Sequence, residues 1–195
     1  MKITDVESIM LRLPVVKEIG DGCQHILIIR VHTDEGITGI GEAHSNPVVS
    51  KAVLDSPMCS VSASGIKRLL IGEDPRDINR LYDKLYKKSV TYGRRGAVMH
   101  VISGIEIALW DILGKSVGQP IHRLLGGARK FEFPCYASDL SPDTAKGAVK
   151  LAEKHVKNGY KALKLGWGGL GGNRKSDAKL VGDVRKAIGP DPDIM

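Results

Sequence analysis

Residues 104–127, GIEIALWDILGKSVGQPIHRLLGG, decide how this chain is read. Ile105, Leu109, Ile112 and Leu113 recur at three- and four-residue spacing, which places them on one side of a helix. The upstream residues AVMHVISG carry the same pattern back through Ile102 and Met99. A helix this apolar on most sides has to be buried, and Gly118 followed by Pro120 ends it. PIHRLLGG then reads as a second, short helix stopped by the paired glycines at 126 and 127.

Working upstream, Asp74 and Pro75 mark the start of a helix over RDINRLYDKLYKK. Ile78, Leu81 and Leu85 form its apolar stripe, while Arg76, Arg80, Lys84, Lys87 and Lys88 recur about one turn apart on the other side. The net charge of +7 raises nucleic acid as a partner, but few aromatic residues interleave with these cations, so the face is read as solvated and nucleic acid is set aside. Near the N-terminus, KITDVESIMLRL alternates as a strand does. Ile26–Thr33 and Thr38–Ala43 follow as two β-rich runs joined by Asp34, Glu35 and Gly36, which predicts a three-stranded antiparallel meander. The chain at 15–24 and 44–50 is expected to be loop, and the Ser-rich patch CSVSASG within 46–71 is left unassigned.

Beyond Gly127 the character changes, which sets two domains, 1–127 and 128–195. The expected order is strand (131–137), helix (142–158), strand (160–165), helix (176–188) and the start of a strand at Asp193. Alternating strands and helices imply a parallel sheet covered on both faces. In YKALKLGWGG, counting by twos puts Ala162, Lys164 and Gly166 on one face and Leu163 and Leu165 on the other. The leucines suit a layer of helices, so Lys164 points the opposite way. An ammonium there needs a partner, a ligand or an exit to water. GWGGLGG (166–172) lacks the Gly-Lys-Ser/Thr ending of a phosphate-cradling loop and reads as a flexible connection.

Composition bounds the rest. With 195 residues, 42% of them hydrophobic and 26% charged, the chain suits one core or a small domain and part of a second. The start, MKITDVESIM, has neither the charge nor the apolar centre of a secretory signal, and the apolar run at 26–31 is too short to span a bilayer, so no membrane partner and a cytoplasmic location are expected. Cys23, Cys59 and Cys135 are odd in number and lack metal-site spacing; they are expected to be free thiols packed in the interior.

The order Ala108-x-Trp110-Asp111, Gly114-Lys115, Pro120 and Leu124-Leu125-Gly126-Gly127 resembles the signature of the mandelate racemase and muconate lactonizing enzyme group of the enolase superfamily. The meander, YGRRGAVMHVISG and the βα order agree with it along the whole chain. The resemblance implies an α+β capping domain followed by a (β/α) TIM-type barrel, here incomplete: two βα units and the start of a third strand. It also implies a divalent metal, usually Mg2+, that neutralises the enediolate formed when a base removes the proton next to a substrate carboxylate. The family's metal ligands are acids ending the third to fifth barrel strands. This chain ends at DPDIM, before the first of them, so it reads as an N-terminal portion with no metal ligand assigned and no activity expected alone.

In the family the second barrel strand often carries Lys-x-Lys. Aligned on Gly159, Lys164 takes the first position and Gly166 the second, which usually acts as acid or base. That departure argues against two-base racemisation and leaves one-base dehydration of a sugar acid, with Lys164 as the catalytic-site cation facing the substrate. The loops at 19–24 and 44–47 correspond to those that close over the substrate in relatives, which makes His25 and His44 candidate substrate contacts. Trp110 and Asp111 are read as packing positions. A homo-oligomer is the implied state. The competing readings are a non-catalytic interaction module and a racemase or epimerase.

Overall fold

Strand β1 (Ile3–Leu11) pairs antiparallel with β2 (Ile26–Thr33), and β2 with β3 (Thr38–Glu42). The computed structural model describes residues 1–17, 22–61, 63–168 and 170–195. Along β2 burial alternates, with Leu27, Ile29 and Val31 inside, as an antiparallel sheet covered on one face requires. The cover is helix α4 (Ala97–Ser116), whose Val101, Ile102, Ile105, Ala108, Leu109 and Ile112 are buried against the strands. By length and composition alone α4 could cross a membrane, but half of its apolar window is buried in this core.

Helices α1 (Pro47–Asp55), α2 (Ile66–Leu70) and α3 (Ile78–Lys88) close the same core through Leu54, Ile66, Leu70, Leu81 and Leu85, and α5 (Ile121–Leu124) follows α4. Helix α1 corrects the expectation of loop at 44–50. The Asn46 side chain accepts a hydrogen bond from Val48 N–H and Pro47 stands at the first helical position, so the start signals were there. The cysteines are a second correction. All three are free but exposed, because Cys59 and Cys135 fall in connections and Cys23 precedes β2.

Several cations on and just before α3 are paired with acids nearby. Arg80 meets Glu73 at 2.7 Å and Asp77 at 2.9 Å, Lys84 meets Glu73 at 2.5 Å, and Arg76 meets Asp74 at 2.6 Å. Much of the positive face is therefore neutralised locally. The Arg76 side chain holds the Asp74 carboxyl well below its ordinary range, at about 2. Lys84 and then Arg80 lower Glu73, and Lys67 lowers Asp5. A carboxyl depressed on folding adds stability above its unfolded pKa and loses it as pH falls through the folded value. The melting temperature of these residues' domain is therefore expected to hold down to about pH 4 and to fall from there to about pH 2. Arg76→Ala should flatten part of that slope, modestly because the pair is half-exposed. Thermal melts by circular dichroism across that range check this, and a wild-type slope unchanged in Arg76→Ala would contradict it.

The chain divides into two compact units: Met1–Val16 with Gly22–Arg129 form the first, and Lys130–Met195 belong to the second. In the second, β4 (Ala137–Leu140), β5 (Ala162–Gly166) and β6 (Asp193–Ile194) form a parallel sheet in that order, with α6 (Ala145–Lys157) and α7 (Arg174–Ile188) as the crossovers. Its core is Leu163 and Leu165 against Ala148, Ala152, Leu180 and Val184. The strand expected at 131–137 begins only at Ala137. Pro134 cannot donate to a ladder, and Phe131 and Phe133 are 92% and 69% exposed.

Candidate functional site

Strand β5 has the alternation that the sequence predicts: Leu163 and Leu165 are buried, and Ala162, Lys164 and Gly166 are only partly covered. Register carries Lys164's face across the sheet. Ser138 lies beside Lys164, Leu140 beside Gly166, and Asp193 beside Ala162. Partners in a parallel ladder share a face, so this surface offers the Ser138 hydroxyl and the Lys164 ammonium side by side in mid-strand, with the Asp193 carboxylate at the N-terminal end of β5. Among the described residues no carboxylate forms an ion pair with Lys164. Its ammonium lies instead over the Trp167 ring, 5.2 Å from the centroid.

The opposite face holds a pair that the sequence reading missed. His155 Nε2 and Asp139 Oδ2 are 2.6 Å apart, and the Tyr160 ring meets the imidazole edge-on at 5.8 Å between centroids. The signal was helical spacing: Ala148, Ala152 and His155 stand at i, i+4 and i+7, so the histidine falls on the stripe that covers the sheet. Asp139 alternates with Ser138 and Leu140 and therefore points at that helix. The contact ties β4 to α6 behind the Lys164 face.

His25 and His44 lie in the first unit and Lys164 in the second. His25 Nδ1 accepts from Leu13 N–H at 3.3 Å, which joins the ends of β1 and β2, while His44 is exposed just after β3. Of the loop expected to close over a substrate, residues 19–21 fall outside the described residues, as does Gly169 of the glycine run. Asp111 works inside its own unit: its Oδ2 accepts from Ile40 N–H at 2.9 Å and from Lys115 Nζ at 2.6 Å, holding α4 to β3. Among the described residues no three His, Cys, Asp or Glu side chains cluster closely enough to hold a metal.

An antiparallel meander backed by one long apolar helix, followed by parallel βα units, defines a two-part α+β and α/β architecture. The family model for the mandelate racemase / muconate lactonizing enzyme N-terminal domain matches residues 3–126, and the chain belongs to that family, within the enolase superfamily. It is 30% identical over 182 residues to an arabinonate dehydratase of Saccharolobus solfataricus, covering 92% of this chain and 46% of that protein. It is 33% identical over 206 residues to a D-galactarolactone cycloisomerase of Agrobacterium fabrum, covering 100% of this chain and 51% of that one. The crystal structure of an enolase superfamily member from Polaromonas sp. JS666 superposes with a TM-score of 0.82 at 34% identity, covering 100% of this chain and 51% of that chain. The chain thus spans about half the length of these relatives.

Proposed function

We propose that this chain supplies the capping domain and the first barrel strands of a sugar-acid dehydratase. In this reading a base removes the proton next to the substrate carboxylate, the hydroxyl on the following carbon leaves as water, and the resulting enol becomes a 2-keto-3-deoxy acid. The position of Lys164 carries the proposal: an ammonium without a described carboxylate partner, on the sheet face opposite Leu163 and Leu165, two residues before the strand ends at Gly166. Such a cation holds a carboxylate or a hydroxyl by charge-assisted hydrogen bonds. The relatives support the substrate class, since an arabinonate dehydratase and a D-galactarolactone cycloisomerase are both similar to this chain. Gly166, where the family often has a second lysine, favours a one-base elimination over racemisation.

Magnesium is the cofactor that the resemblance implies. The described residues do not form a donor set for it, and the 195 residues alone are proposed to be inactive. A homo-oligomer in a reducing cytoplasm, with His25 and His44 as contacts to the polyol, completes the reading; three free thiols suit that setting.

The test is an assay of the protein from its natural source with Mg2+ and a panel of aldonic and aldaric acids, followed by product analysis. Formation of a 2-keto-3-deoxy acid is expected, and Lys164→Met should lower kcat/KM by roughly 10- to 100-fold, as loss of a charged hydrogen bond does. Exchange of the proton without loss of water, or full activity in Lys164→Met, would overturn the assignment.

A further inference from the structure

Trp167 is the one described residue other than glycine with positive φ, at 54°. A bulky side chain in that region is strained and persists only where its surroundings impose it. Here both neighbours impose it. Gly166 O accepts from Ser141 N–H at 2.9 Å. Gly168, at φ 60°, runs so close to buried Ser141 that a Cβ would lie 2.2 Å from the Ser141 carbonyl oxygen. The turn after β5 is thereby fastened to the turn after β4, and the indole is set beneath the Lys164 ammonium, half-exposed.

A carboxylate in that place would fix the ammonium by neutralising it and occupying its N–H groups. The face of an aromatic ring attracts the cation while leaving its charge and its hydrogen-bond donors available. We infer that Trp167 is a positioning residue that holds the Lys164 ammonium in place, with its donors free for an incoming carboxylate or hydroxyl. Its purpose rests on the reading of Lys164 given above.

The experiment is NMR of lysine side chains in the 195-residue chain, with the Lys164 signal assigned through Lys164→Arg and sodium D-galactonate as the probe. In the wild type the Lys164 Hε protons, next to an Nζ 5.2 Å from the indole centroid, should resonate upfield of the other lysines. Trp167→Gly accepts the left-handed backbone, so it should melt no lower than the wild type while the Lys164 signal returns to the common position. The D-galactonate-induced shift of that signal should then need about two- to five-fold more ligand. Trp167→Phe should retain much of the displacement, which a purely structural role would not predict. A wild-type Lys164 signal at the common position, or an upfield signal that survives Trp167→Gly, would overturn the inference. A displaced signal that D-galactonate leaves unmoved would keep the positioning and overturn the functional reading beneath it.

Discussion

Gly41→Ala is expected to remove a large share of the first unit's stability. Strand β3 lies so close to α4 that an added Cβ at Gly41 would stand 1.9 Å from the Gly104 carbonyl oxygen and 3.1 Å from Ala108 N. Gly39 makes the same approach, at 2.0 Å from Ala108 O, and a Cβ on Gly104 would meet Glu42 O at 2.9 Å. These are contacts of backbone with backbone, so no rotamer change relieves them. The strand would have to lift off the helix and open the layer formed by Ile29, Ile105 and Leu109. Overpacking of this severity costs about 3 kcal/mol or more, a large share of the roughly 5–15 kcal/mol that holds a domain together. Urea titration followed by circular dichroism measures it, with Gly22→Ala as the control because nothing stands near that position. A Gly41→Ala midpoint equal to the wild type would show that β3 and α4 are not packed this closely.

Gly168→Ala should do comparable damage in the second unit. Alanine there meets two penalties: a left-handed backbone at φ 60°, and a Cβ 2.2 Å from Ser141 O. Together they amount to about 3 kcal/mol, set against a core of seven buried hydrophobic residues among those described. Amide exchange should show lost protection in β4 and β5 while β1 and β2 stay protected. The neighbouring Gly166→Ala meets nothing within 4 Å and should fall within about 0.5 kcal/mol of the wild type. Equal protection in the two variants would remove the argument that the 166–168 turn is locked to Ser141.

Much of the fold was legible because the signals were local. Helix α4 follows from the spacing of its apolar residues, and the meander from alternation and the Asp34–Gly36 turn. The alternation of β5 likewise showed which way Lys164 points. Helix α1 was passed over although Asn46 and Pro47 announced it, because its nine residues carry a weak apolar pattern with Val48 and Val49 exposed. The Asp139–His155 pair was missed because its members are 16 positions apart and meet only when α6 folds onto β4. Trp167 lies within a glycine run, and composition does not reveal a left-handed φ.

The sequence by itself determined the meander, the long helix α4, the βα alternation, the family and the face of the sheet on which Lys164 lies, since each depends on periodicity or on residues near one another along the chain. Only the tertiary structure decided that Asp111 serves β3, that Arg80 and Lys84 of α3 are paired with Glu73, and that the Lys164 ammonium rests on an indole. Those facts depend on distances between backbones and between side chains of separate elements. Such distances come into being only when the strands and helices close on one another.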